Sequence, residues 1–374
     1  MKKFIKIGAA GALLSVAAAP GAYAQSSITL YGVLDNYIGY QSANVGGKST
    51  ALTVLGSNGL STSRYGIRGT EDLGGGLKSS FDLEGGFDPS TGETQNQYRS
   101  FDRQAWVGLS DDTYGAFRLG RQETAMWFYS GNMDAFGAAT YGSGLNNFAE
   151  WQARVDNDIS YFTPKFANTQ FEIHYALGGL ADNTGGNGVF QVAGQTWQGP
   201  VYFAAAYLNA VNATQTNRVQ QLMAGGYYNY GSGKVYAAFF RSNDVISATT
   251  GNALESPGGK FDPSVGAVSN TPGNYHNTYS LSADYHINAA LTVGAGYSYM
   301  QDDSSLHNNA DEFSLITTYD LSKRTTIYAV ASRLNNSNTA QFKMGDAATT
   351  TGTYLTPGTG QDETGLQLGI RHSF

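Results

Sequence analysis

The chain has 374 residues, with 22 Lys and Arg against 29 Asp and Glu, 48 Gly, 25 Tyr, 19 Phe, 8 Pro and no Cys, for a formal net charge of −7. This acidic balance argues against nucleic acid as a partner, because that affinity rests on phosphate neutralisation by Lys and Arg. The lack of Cys excludes disulfides, thiolate chemistry and cysteine metal sites.

The chain begins "MKKFIKIGAAGALLSVAAAPGAYA", in which Lys2, Lys3 and Lys6 precede an apolar stretch and the small-residue pattern Ala22-Tyr23-Ala24. That is the pattern of a secretory signal peptide. Residues 1–24 are therefore read as a leader cleaved after Ala24, with Gln25 as the new terminus, and residues 25–374 as one exported domain. Without the leader's three bases, 19 remain against 29 acids, a net charge of −10. The apolar part of the leader is shorter than the roughly 20 residues a spanning helix needs. Beyond it the most apolar run, Val201 to Val211, has 11 residues. A membrane protein of this sequence has to be a closed β-barrel, the other way to satisfy every backbone amide in lipid.

Segments of alternating residues then follow, and period two is the mark of a strand with two different faces. In the first, Ile28, Leu30, Leu34, Ile38 and Tyr40 share one face, while Thr29, Tyr31, Asp35 and Tyr37 share the other. The second, "STSRYGIRGTE", sets Tyr65 and Ile67 against Arg64, Gly66 and Arg68 and runs into "DLGGGLK", whose glycines allow a tight reversal. Further strands are predicted near 77–87, 99–110, 115–121, 153–163, 169–178, 188–197, 201–211, 218–230, 234–243, 276–287, 291–301, 311–320, 325–334 and 363–374. In the last, Leu366, Leu368, Ile370, His372 and Phe374 alternate with Gly365, Gln367, Gly369, Arg371 and Ser373.

That makes about sixteen strands, an even number, as in bacterial barrels. Short connections such as "DLGGG", "SDDTY", "QGP" and "GSG" take turns with long ones: "SANVGGKSTALTVLGSNG", residues 122–152, 244–275 and 335–361. Short turns on one side and long loops on the other are the pattern of an outer-membrane barrel. The expected fold is all-β, a transmembrane 16-stranded antiparallel β-barrel with lipid outside and water inside. The last strand pairs with the first to remove both sheet edges.

The stretches "SITLYGVLD", "STSRYGIRGTEDLGGGLK", "RQAWVGL", "YGAFRLGRQ", "RVDNDISYFTPKF", "LSKRTTIYA" and the final "GIRHSF" resemble the general porins of beta-proteobacteria, neisserial-type trimeric porins included. They are spread over the whole exported chain in the family's order. The resemblance implies a homotrimer in the Gram-negative outer membrane and a third long loop folded into the lumen. It also implies passive diffusion of ions and small hydrophilic solutes through a water-filled pore, with no cofactor. Outer-membrane lipid and the outer-membrane assembly machinery are the other implied partners, and the terminal Phe374 resembles the signal that this machinery reads. The long loops show no comparable likeness.

The useful chemistry of such a protein is electrostatic. Parity places Arg64 and Arg68 in the lumen. Arg154 shares its face with Asp156, Asp158 and Ser160, while Val155, Ile159 and Tyr161 are expected toward lipid. Arg103 is placed on the wall by its match to the family, in which arginines matching Arg64, Arg103 and Arg154 form a basic cluster beside the constriction. Arg121 is placed near the pore, and Arg118 is read as a structural partner of carboxylates at the rim. Residues 122–152 contain Glu123, Asp134 and Glu150 and no Lys or Arg. Acids on this loop opposite arginines on the wall are expected to set up a transverse field in a confined channel. Trp127, Phe128, Tyr129, Phe136, Tyr141 and Phe148 are expected to pack the loop against the wall.

The residues also bear on two other functions. A hydrolase is disfavoured because His174, His276, His286, His307 and His372 lie in neither a G-x-S-x-G elbow nor an H-E-x-x-H pair. A substrate-specific channel stands as the alternative to general diffusion. Arginines at the narrow point lead to an expected weak anion preference despite the acidic total, since exposed loop charges are screened within about 8 Å.

Overall fold

The computed structural model describes residues 27–149, 151–215, 218–243, 275–345 and 353–374. The leader, with Ala24 and Gln25, lies outside the described residues, as does Glu150.

Seventeen strand segments form one sheet: β1 Ser27–Val45, β2 Lys48–Ser57, β3 Arg64–Gly74, β4 Leu77–Gly86, β5 Gln104–Asp111, β6 Gly115–Glu123, β7 Arg154–Phe162, β8 Thr169–Ala176, β9 Val189–Gln198, β10 Val201–Val211, β11 Arg218–Asn229, β12 Lys234–Ser242, β13 His276–His286, β14 Leu291–Asp302, β15 Ala310–Asp320, β16 Thr325–Asn336 and β17 Glu363–Ser373. Two short helices, α1 Ala125–Ser130 and α2 Gly144–Phe148, lie between β6 and β7. Each strand pairs antiparallel with its neighbours, and β17 pairs with β1 from Ala43↔Glu363 to Val33↔Ser373.

Seventeen segments make a closed 16-stranded barrel because β2 and β3 lie end to end beside β1. β1 pairs with β2 up to Asn36↔Ser57 and with β3 from Val33↔Arg64. Residues 58–63 leave the ladder between them. This detour is held by Asp35, which is fully buried. Its carboxylate accepts the amides of Leu60 and Ser61 at 2.8 and 2.7 Å and the Tyr328 hydroxyl at 2.6 Å. The expectation of a long loop over "SANVGGKSTALTVLGSNG" is corrected here. β1 and β2 form a hairpin turning at Gly46 and Gly47, whose φ values of 59° and 81° suit glycine.

The predicted outward faces of β1 and β17 are outward. Ile28, Leu30 and Ile38 on β1 and Leu366, Leu368 and Ile370 on β17 are exposed, whereas Gln367 is buried inside. Tyr114, Phe166, Tyr230 and Tyr319, near the short turns, are also exposed, as aromatic girdles are at the membrane interface. The chain end closes the seam, with Phe374 and Gly32 exchanging two backbone hydrogen bonds of 3.0 and 3.1 Å. A Cβ on Gly32 would stand 2.3 Å from the Phe374 ring.

Sixteen staves enclose more space than side chains can fill, and the described residues of loop 3, 124–149 and 151–153, occupy much of it. Met126, Tyr129, Met133 and Trp151 of the loop pack on Ala204, Leu208, Met223 and Phe240 of the inner wall. Phe136, Tyr141 and Phe148 pack on Met300, Tyr328, Leu334 and Phe342. Thus the inner wall along β10–β12 and β14–β16 carries many apolar residues, and its polar ones, such as Glu312, are met by loop 3 rather than by water.

Replacing Asp35 by Ala leaves two amides and a hydroxyl without their acceptor, and each buried unsatisfied group costs about 1–3 kcal/mol. Asp35→Ala is expected to lower the temperature at which the barrel unfolds in detergent, read by the gel shift on heating; an unchanged temperature would show that the detour is held by something else.

Candidate functional site

Loop 3 leaves the wall at Thr124. This residue caps α1 by accepting the Trp127 amide at 3.3 Å and donates its hydroxyl to the carbonyl of Gln152 at 2.5 Å, which ties the two ends of the loop together. The loop then crosses the lumen. The Ala125 amide donates to Gln191 on β9 at 3.2 Å, Ala135 to Ser282 on β13 at 2.9 Å and Tyr141 to Gln367 on β17 at 3.0 Å. Asn147 in α2 donates to the Glu312 carboxylate on β15 at 3.0 and 3.1 Å. Gly144 lies so close to β14 that a Cβ there would stand 2.1 Å from Ser298.

Opposite the filled side, the upper ends of β3–β7 carry a chain of ion pairs. Glu84 on β4 accepts from Arg64 at 3.3 Å and Arg103 at 2.5 Å. Glu123 on β6 accepts from Arg103 at 3.2 Å and Arg154 at 3.0 Å. Asp156 on β7 accepts from Arg99 at 2.6 Å and Arg121 at 2.8 Å. Arg154 also lies 5.0 Å from the Trp127 ring centroid, which couples the wall to loop 3. Within these pairs five guanidiniums share three carboxylates. Arg103, Arg121 and Arg154 are nearly buried. Arg64 is partly exposed, and Arg68, 4.9 Å from the Tyr31 ring, is exposed in the lumen.

The structure therefore brings together Arg64, Arg103, Arg121, Arg154 and Glu123, with Arg68 four residues further along β3. Glu123 departs from its expected place. It is the last residue of β6 and sits among the arginines as their counter-ion, not across the channel from them. Asp134 departs too. It is 3% exposed and turned into its own loop, accepting the amides of Phe136 at 3.1 Å and Ala138 at 2.7 Å and the Ser143 hydroxyl. Burial pushes its carboxyl up from the ordinary range, and these hydrogen bonds pull against that shift. The acidic half of the expected transverse field is absent from both described positions.

Three further differences have a local cause. Val155, expected toward lipid, is buried inside with Met126 and Tyr129. The β6–β7 register slips between Gly120↔Asp158 and Gln122↔Val155, and Asn157 takes a φ of 55°. The extra residue on β7 breaks the parity counted from Asp158 up to Val155. Arg118, expected to pair with rim carboxylates, has no carboxylate within ion-pair distance among the described residues; its guanidinium lies 4.2 Å from the Trp106 ring centroid and 4.5 Å from that of Phe162. Phe128, expected to pack the loop down, is 60% exposed into the lumen. Sequence reasoning also missed Glu84 and Arg99. Glu84 alternates correctly on β4 for an inward residue, but Arg99, inside the strand expected over 99–110, lies in an irregular loop, because β5 begins only at Gln104.

The geometry defines a transmembrane β-barrel with a hydrated, charge-lined lumen narrowed by an inserted loop, which is the architecture of a channel. The family profile described as Gram-negative porin matches residues 9–339. An outer membrane porin protein of Bordetella pertussis is 32% identical over 357 residues, covering 85% of this chain and 91% of that protein. Outer membrane porin protein 32 of Delftia acidovorans is 31% identical over 379 residues, covering 97% and 98%. Among solved structures, the anion-selective porin from Comamonas acidovorans superposes with a TM-score of 0.74 at 26% identity, covering 94% of this chain and 100% of that one. The chain belongs to the Gram-negative porin family, and it is an outer-membrane channel protein.

Removing one partner of a buried, hydrogen-bonded ion pair costs about 3–5 kcal/mol. Arg103→Ala leaves Glu84 with the longer Arg64 contact and the Tyr31 hydroxyl, so it is expected to destabilise the barrel by less than that, and adding Glu84→Gln to restore part of the loss. The two single changes and the double change, compared by denaturant unfolding from detergent, measure the coupling; strict additivity would contradict it.

Proposed function

We propose that this chain is a general diffusion channel with a weak preference for anions, working as a homotrimer for ions and small hydrophilic solutes. The observation that carries the anion preference is the unequal pairing on the wall. Five arginines share three carboxylates, and Arg64 and Arg68 face the lumen. Asp134 contributes no opposing charge to the water, because its oxygens are taken up by its own loop. A cation-lined constriction with low-dielectric walls raises the local anion concentration. The acids of the long loops are screened by salt within about 8 Å. The similar structure from Comamonas acidovorans is described as anion-selective, which agrees with this reading.

Export through removal of residues 1–24 between Ala24 and Gln25 belongs to the same proposal. So does recognition of the Phe374 end by the assembly machinery. Both rest on the sequence patterns, and the trimer rests on the family likeness.

In planar bilayers under a KCl gradient, the reversal potential is expected to have the anion sign, and Arg64→Ala or Arg68→Ala to move it toward zero. A potential of cation sign that neither change moves would sink the anion reading. Deleting Phe374 is expected to cut the yield of assembled trimer several-fold while the conductance of each channel that does form stays the same; normal yield argues against the assembly role.

A further inference from the structure

Below the ion-pair chain, toward the short turns, the lumen opens into a cavity of about 760 Å³ between the inner faces of β3–β9 and α1. Its volume is within the roughly 300–1,000 Å³ of small-molecule sites. We infer that this vestibule holds a saturable subsite for aromatic carboxylates, so that the pore passes such solutes by binding as well as by diffusion. The inference deepens the diffusion-channel reading and rests on it.

The charges of the cavity set the sign of the ligand. Its acids already have protein donors. Asp82 accepts the Tyr31 hydroxyl at 2.8 Å, Glu123 accepts from Arg103 and Arg154, and Glu172 accepts from the Tyr129 hydroxyl and lies 3.1 Å from His174 Nε2. Its cations have no carboxylate in contact: among the described residues none lies within ion-pair distance of Arg68, Arg118 or Lys165, while Asp82, across from Arg68 in the β3–β4 register, and Glu172 act on Arg68 and Arg118 only from further off. Each instead rests on a ring, Arg68 on Tyr31, Arg118 on Trp106 and Phe162, and Lys165 on Trp197, with the Lys165 ammonium 5.1 Å from the ring centroid. A guanidinium held by aromatic neighbours keeps its N–H edge available, and that edge matches a carboxylate in bidentate fashion.

The aromatic part sets the shape of the ligand. Phe128 stands 60% exposed on the loop 3 side of the cavity, and Trp197 lines the wall. A large apolar ring left in water beside unpaired cations matches a ligand with a planar apolar body and one negative end. A short aliphatic carboxylate offers the charge without the ring, and a neutral aromatic alcohol offers the ring without the charge.

Benzoate, acetate and benzyl alcohol separate these terms. In bilayers with KCl, benzoate is expected to reduce the open-channel current along a saturating curve with a midpoint of roughly millimolar order, typical of one charged and one stacking contact. Acetate and benzyl alcohol at the same concentrations are expected to leave the current near its starting value. Two of the four tryptophans, Trp106 and Trp197, line the cavity, so benzoate should also quench the fluorescence of the detergent-solubilised protein with the same midpoint. Arg118→Gln and, on the exposed loop, Phe128→Ala should each raise that midpoint about tenfold, the loss of about 1.4 kcal/mol. Block that does not saturate, or equal effects of benzoate and acetate, or a midpoint untouched by Phe128→Ala, overturns the subsite while leaving a KCl-conducting pore as a diffusion channel. Absence of any KCl current would instead overturn the channel reading, and the fluorescence titration would still decide the subsite.

Discussion

In hydrocarbon no backbone amide can be left without a partner, and the rest of this molecule follows from that constraint. Every strand must be paired on both sides, so β17 returns to β1 and the last residue itself joins the ladder through Gly32. Glycine at position 32 gives the Phe374 ring room to lie over the seam. Where the ladder is broken, at residues 58–63, the break lies on the inside and Asp35 supplies the acceptors that a neighbouring strand would have given.

Closure with sixteen staves creates the next problem, a lumen too wide to be filled by wall side chains. Loop 3 resolves it unevenly. It turns its apolar residues to β10–β12 and β14–β16, where the wall answers with Ala204, Leu208, Met223, Met300 and Leu334. It leaves the lower inner face of β3–β9 open as a cavity. The run from Val201 to Val211 is the most apolar of the exported chain for this reason: one face of β10 meets lipid and the other meets the loop, so neither needs polar residues.

On the wet side, stability and selectivity draw on the same arginines. A guanidinium nearly buried at the loop end of a strand needs a carboxylate, and Glu84, Glu123 and Asp156 supply three. Because they are fewer than the arginines, the constriction is left with positive charge without leaving any one cation wholly unsolvated and unpaired. The loop's own carboxylate, Asp134, holds the fold of the loop and does not oppose that charge.

By itself the sequence determined the barrel, the closure of its ends, the outward faces of β1 and β17, and the inward facing of Arg64 and Arg68. All of these follow from period two, which the chain records residue by residue. Tertiary structure alone decided what depends on contacts between distant segments. The β1–β2 hairpin was not legible because "KSTALTVLGS" has no clean alternation, and Val155 was misplaced because one bulged residue at Asn157 undoes parity counted from below it. Glu123 and Asp134 read alike, as acids on a long connection, yet one ends a strand among arginines and the other is enclosed by its own loop. Parity states which face a side chain takes but not its height on the barrel or the residue that meets it there. Those are fixed only when loop 3 is folded against the wall, and the ion pairs, the stacking of Arg118 and the exposure of Phe128 are consequences of that packing.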